Sequence, residues 1–261
     1  MSWERNMIID RRAICLSSVA LAAAVATQSA RAADISPEAA MAAADLATPS
    51  YYRQGIVWEV IVEQWEGDTK KSFQQLRLRT KGDSTLAEFV APPIVNGRKL
   101  LMKNRAMWFL KPGLSKPVPI SPRQRLLGSA AYGDLASINY VQSYTITASR
   151  EEALGADDCY VLDLVAKKRE EVYPKLRYWV SKRRKLGVKT EYYTESGTLL
   201  KAAEFEFDNT LTVADATARQ FLSRMVIRDP NSRQSVSVLR FGRIELQPMP
   251  DATFDLNLLT Q

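Results

Sequence analysis

LMKNRAMWFLKPGLSKPVPISPRQRLLGSAAYGD, residues 101–134, opens as a strand built around Trp108 and runs into a proline-rich connection. A basic Arg123-Gln124-Arg125 turn follows, and the stretch closes on Gly128-Ser129-Ala130-Ala131-Tyr132-Gly133-Asp134. Pro117, Pro119 and Pro122 cannot all sit in a central strand, so this connection is expected as an ordered loop or a sheet edge. No nucleophile, metal cluster or phosphate loop stands out in it. Its apolar bulk suits a surface that receives something greasy.

On either side the apolar period is two, the mark of half-buried strands. Ile56, Trp58, Val60 and Val62 share one face, with Glu59 and Glu63 on the other. Phe73–Arg79 follows across Gly67-Asp68, then Leu86–Val90, Arg98–Lys103 after the Asn96-Gly97 turn, and Met107–Leu110. Downstream, strands are expected over Tyr140–Thr147 (with a turn at Glu151–Asp158), Tyr160–Val165, Leu176–Val180, Val188–Thr194 and Thr198–Phe207. Ala218–Ile227 and Ser235–Leu246 form the last expected pair. Ser36 as cap, Pro37 at the first helical position and the alanine-rich Glu38–Leu46 predict one opening helix. Short helical turns are expected at Ser121–Leu127 and Tyr132–Ile138.

The N-terminus addresses the chain. Arg11 and Arg12, the apolar Ala13–Ala26 and then Ala30-Arg31-Ala32 describe a secretory signal, with cleavage expected after Ala32. The Arg11-Arg12-Ala13-Ile14 sequence fits twin-arginine export. An ordinary Sec signal that happens to carry two arginines fits equally. Cys15 precedes the apolar stretch, so it is not a lipidation site at the mature end. The full chain carries 36 basic and 29 acidic residues. Removing residues 1–32 takes away four basic and two acidic ones and leaves a net charge of +5. That mild excess suits anionic surfaces and is too diffuse to argue for nucleic acid. Only Cys159 remains after cleavage, so no intramolecular disulfide is expected. Histidine is absent, which excludes His-based triads, His-ligated zinc and imidazole acid–base chemistry. No G-x-S-x-G elbow occurs.

Met107-Trp108-Phe109-Leu110-Lys111-Pro112, Arg123-Gln124-Arg125, the Gly128–Asp134 run and Trp179-Val180 stand in the order found in outer-membrane lipoprotein-sorting proteins, and the chain resembles that LolA-like superfamily. The likeness continues through Tyr192–Phe207 and ends near Phe254. It departs at Leu110 and Lys111 before the proline, and in the extra prolines Pro117 and Pro119. The resemblance implies a mainly β fold, a half-open antiparallel barrel with short covering helices, as a single domain over residues 33–261. It also implies a periplasmic, non-enzymatic carrier of lipid or lipoprotein acyl chains without a cofactor or metal. An inner-membrane transporter and an outer-membrane acceptor would be its partners. The alternatives are an accessory protein of a lipid-exporting transporter and a ligand-free envelope protein. Candidates to line the apolar cavity are Trp58, Phe73, Phe89, Met107, Trp108, Leu126, Leu127 and Tyr178. Arg123 and Arg125 are candidates for head-group contacts, because arginine makes forked bonds to phosphate and carbonyl oxygens.

Overall fold

The computed structural model describes residues 35–114, 116–135, 139–213, 217–232 and 234–260. The expected signal segment 1–32, its cleavage point and Cys15 lie outside them, as do residues 136–138 of the expected second helical turn.

The opening helix forms as read. α1 spans Pro37–Asp45, and the Ser36 side chain accepts from the Ala39 N–H at 3.2 Å. Among the described residues seventeen strands follow: β1 (Ile56–Glu66), β2 (Thr69–Lys81), β3 (Ser84–Ala91), β4 (Lys99–Lys103), β5 (Ala106–Leu110), β6 (Val118–Ile120), β7 (Arg125–Leu127), β8 (Ala130–Ala131), β9 (Tyr144–Leu154), β10 (Asp157–Ala166), β11 (Lys175–Ser181), β12 (Gly187–Tyr193), β13 (Leu199–Glu206), β14 (Asn209–Thr212), β15 (Ala218–Phe221), β16 (Arg224–Arg228) and β17 (Ser235–Leu246). A four-residue helix, α2 (Tyr140–Ser143), precedes β9. Thirteen strands make one antiparallel sheet in the order β6-β5-β4-β3-β2-β1-β17-β16-β13-β12-β11-β10-β9. It is not closed on itself, as a half-open barrel requires.

The strand order explains the architecture. The chain starts in the middle of the sheet at β1 and meanders outward by short turns to the edge at β6. It resumes at the opposite edge with β9 and meanders back, so that β17 pairs with β1 over Ile56–Glu66. The segment between the edges must cross a face of the sheet. It carries the β7–β8 hairpin and α2, and it becomes a cover.

Alternation sorts the side chains between two faces. Ile56, Trp58, Val60, Leu76, Leu78, Phe89, Leu162, Tyr178, Ile227 and Leu239 belong to one large buried cluster, together with Ala40, Met41 and Ala44 of α1 and Leu126 of the hairpin. This is the inner, covered face. The outer face carries two smaller clusters. Leu86, Leu101 and Leu110 lie beneath Met249 and Phe254 of the C-terminal segment. Cys159, Val161, Trp179 and Val188 form the other.

Several expectations need correction. Ser121–Leu127 is not helical: Arg125–Leu127 pairs with Ala130–Ala131 as a hairpin. Tyr140–Ser143 is helical rather than strand, with the Asn139 side chain capping it through the Gln142 N–H at 2.9 Å. The expected turn at Glu151–Asp158 is mostly strand, and only Gly155-Ala156 separates β9 from β10. Ala218–Ile227 breaks at Leu222-Ser223. Its first half pairs with β14, which the sequence reading did not separate, and only Arg224–Arg228 pairs with β17. The proline-rich connection behaves as read: Pro119 sits in β6, an edge strand where a missing N–H is tolerated.

Candidate functional site

Between the inner face and the covering segments lies a cavity bordered by Ala44, Ala47 and Pro49 on the cover. The space open to the centres of water-sized spheres is about 80 Å³. One water needs roughly 10–15 Å³ on that measure, so the closed form has room for a few waters and not for a full acyl chain. An open groove of about 670 Å³ borders the neighbouring segment at Tyr51, Tyr52 and Arg53.

The cavity wall has two characters. Trp58, Phe205, Phe207, Met225 and Phe241 supply an apolar side, with Trp58 and Phe241 stacked at 5.3 Å between ring centroids. The Trp58 indole N–H is satisfied by Thr80 Oγ1 at 3.0 Å, which fixes the ring. The other side is phenolic and ionic. Tyr140 of α2 stacks on Tyr178 at 4.1 Å with an 8° interplanar angle. Tyr178, Tyr192 and Asp134 complete this side.

Asp134 is the hub beneath it. Its carboxylate pairs with Lys201 Nζ and accepts from Tyr173 Oη at 2.9 Å and the Ala131 N–H at 2.7 Å. Asp134 and Lys201 are both nearly fully buried. The Lys201 ammonium also lies 5.0 Å from the Tyr173 ring and 5.3 Å from the Tyr192 ring. A charge taken this far from water is held only by such pairing and ring contacts. The pair ties the cover, which carries Asp134, to β13, which carries Lys201.

The cover is also tied to itself. Asp45, at the end of α1, accepts from the Tyr140 and Val141 N–H groups of α2, both at 3.0 Å. Burial pushes its carboxyl up to about 6, against the opposing pull of those two hydrogen bonds. The hairpin is seated separately. Ser237 Oγ of β17 accepts from the Ser129 N–H at 2.8 Å and donates to the Leu127 carbonyl at 3.1 Å. Gly128 allows this seating: its φ is +56°, and a Cβ there would lie 2.5 Å from Ser237 Oγ.

Of the predicted cavity residues, Trp58 and Tyr178 line the cavity. Phe89, Met107, Leu126 and Leu127 pack in the same inner core without lining it. Trp108 does not reach it. Met107 and Trp108 are neighbours in β5 and point to opposite faces, and Trp108 packs in the outer cluster under Phe254. Phe73 pairs with Glu63, opposite the Val62 face, and is exposed. Arg123 and Arg125 are exposed on the cover, and Arg123 Nε donates to the Val172 carbonyl at 2.5 Å. Asp45, Lys201, Tyr192 and Phe241 were missed. Lys201 had a signal: extended back two residues, the Ala203–Phe205 alternation places a lysine on the apolar face. Cys159 is fully buried, and burial pushes its thiol up to about 11, which suits a packed residue. Among the described residues no group of three or more His, Cys, Asp or Glu side chains could hold a metal ion.

A family model described as that of an uncharacterized protein matches residues 81–261. A LolA superfamily protein from Nitrosomonas europaea is 26% identical, with a TM-score of 0.75 over 86% of this chain and 99% of that one. The chain belongs to this family and to the LolA superfamily. Two further structures share the fold at 21% identity. One, from Vibrio parahaemolyticus and described as an outer membrane lipoprotein-sorting domain, has a TM-score of 0.65 over 79% of this chain and 92% of its own. The other, a DUF1329 family protein from Desulfovibrio piger, has a TM-score of 0.67 over 85% and 98%. No curated protein matches the chain.

Proposed function

We propose that this LolA superfamily member is a non-catalytic periplasmic carrier. It takes up acyl chains of lipoproteins or lipids between its inner sheet face and its cover, and passes them toward the outer membrane. Residues 1–32 would serve as the export signal and residues 33–261 as the single working domain. An inner-membrane transporter would load the carrier and an outer-membrane acceptor would unload it.

The observation that carries this reading is the apolar-sided cavity between the inner face and the cover. Its apolar side is ready-made, and α1 with α2 forms one tied piece while the hairpin forms another. Uptake of a full chain requires these pieces to move, since the closed space is about 80 Å³. Burial of acyl carbons supplies about 0.8 kcal/mol per CH₂, enough over a long chain to offset the displaced cover contacts. Arg123 and Arg125 would meet the head group from the cover. Replacing both with alanine is expected to weaken lipid transfer, and unchanged transfer would remove that role.

The test is native mass spectrometry of the exported protein purified without detergent, followed by lipid extraction. A discrete added mass that extracts as acylated material is expected. A bare polypeptide mass that stays bare when lipids and acylated peptides are offered would overturn the reading in favour of a ligand-free envelope protein.

A further inference from the structure

We propose that the phenolic side of the cavity, through the hydroxyls of Tyr178 and Tyr192, hydrogen-bonds the carbonyl oxygen of an uncharged acyl ester or amide, so that the carrier selects acylated cargo over free fatty acid. This rests on the carrier reading above and names its substrate class.

Tyr178 is 3% exposed and Tyr192 2% exposed, and both line the cavity. Their neighbours Tyr140 and Tyr173 have hydroxyl partners, in Thr190 Oγ1 at 3.5 Å and Asp134 Oδ1 at 2.9 Å. Among the described residues no group hydrogen-bonds the hydroxyl of Tyr178 or Tyr192; burial acts most on both, then Tyr140, with Asp45 acting on Tyr178 and Asp134, Tyr173 and Tyr144 on Tyr192. Neither hydroxyl is sealed away: each keeps accessible surface on the cavity side, where a ligand oxygen could reach it. Gly187 makes the room that the end of the Tyr178 ring occupies. A Cβ there would lie 1.8 Å from the Tyr178 hydroxyl oxygen, and the φ of Gly187 is not in the left-handed region, so space rather than backbone geometry calls for glycine. Two donors facing an apolar chamber are complementary to an acceptor attached to a hydrocarbon.

Charge selects among acceptors. The titrating groups facing these phenols are Asp45 on α1, Asp134 on the cover, Tyr140 on α2, and Tyr144 of β9, Tyr173 and Lys201 beside Tyr192. Asp134 is already paired with Lys201. Asp45 acts to hold the proton on Tyr178, and Asp134 the one on Tyr192. A carboxylate would bring a further negative charge to a site with two carboxylates and one ammonium. An ester or amide carbonyl accepts the same bonds without that repulsion.

Methyl palmitate, palmitate and hexadecane, delivered on cyclodextrin to the delipidated mature protein, separate the possibilities by competition against a polarity-sensitive fluorophore. Wild type is compared with Tyr178→Phe, Tyr192→Phe and the double variant. Each Phe is expected to weaken methyl palmitate on the order of fivefold and leave hexadecane unchanged. Palmitate is expected to bind more weakly than the ester. The ligand-free Phe variants are expected to melt no lower than wild type, since they lose only an unpartnered hydroxyl. Equal loss for ester and alkane, or palmitate bound as tightly as the ester, overturns this inference and leaves the carrier reading standing. Failure of wild type to bind any probe removes the carrier reading itself.

Discussion

Gly128→Ala should be among the most damaging single-methyl additions in the chain. The residue sits at φ +56°, which costs an L side chain roughly 1–2 kcal/mol. The added Cβ would lie 2.5 Å from Ser237 Oγ and 3.2 Å from Gln64 Cγ. The Ser237 hydroxyl must then give way, releasing the bonds to Ser129 and Leu127, each worth about 1 kcal/mol. The expected total is about 3–4 kcal/mol. Gly155→Ala is the control: it has φ +61° and nothing within 4 Å of the built Cβ, so it should lose only the backbone share. Urea unfolding read by tryptophan fluorescence gives both numbers. In a Ser237→Ala background the Gly128→Ala cost should fall by about 2 kcal/mol, because the hydroxyl bonds are already gone. If Gly128→Ala costs no more than Gly155→Ala, or if the two substitutions simply add, the hairpin is not seated on β17 as described.

Lys201→Met should destabilise by about 3–5 kcal/mol, because it strands the Asp134 carboxylate without its counter-charge; thermal unfolding checks this, and a loss below about 1 kcal/mol would mean that the pair is not buried. Asp45→Asn tests the tie between α1 and α2 through pH. The Asp45 carboxyl is raised from 3.8 to about 6 in the folded protein. The folded state therefore binds the proton more tightly, and wild type gains stability on this account as pH falls from about 6 toward 4. Relative to Asp45→Asn, the gain should be about 2 kcal/mol between pH 7 and pH 4, read by denaturation of both proteins. A difference that does not change with pH would place Asp45 in contact with water.

Much of the fold was legible because strand alternation and turn residues are local signals. The Ile56–Val62 period, the Gly67-Asp68 turn and the edge proline at Pro119 each appear where local chemistry puts them. The cover was not legible in the same way. Arg125–Leu127 is too short to carry a period, and its pairing depends on the Ser237 seat more than a hundred residues away. Tyr140–Ser143 reads as strand by residue type. It is held helical by the local Asn139 cap and by Asp45, and the second contact is one that only the tertiary fold supplies. At the site, alternation could have set Trp108 aside once Met107 was placed inward, and it could have flagged Lys201 on an apolar face. The open tyrosine hydroxyls leave no trace in sequence, because an unpaired phenol and a paired one are the same letter.

The central claim, that acyl chains lodge on the inner face beneath the cover, is tested most directly by tryptophan quenching with a bromine-labelled palmitoyl ester. Two forms of the mature protein each keep one tryptophan, Trp58 on the cavity wall or Trp108 on the outer face, with the others changed to Phe. Quenching of Trp58 that saturates with probe, with Trp108 unaffected, is the predicted result. Probe that binds while Trp58 stays bright, or that quenches Trp108 instead, would contradict it.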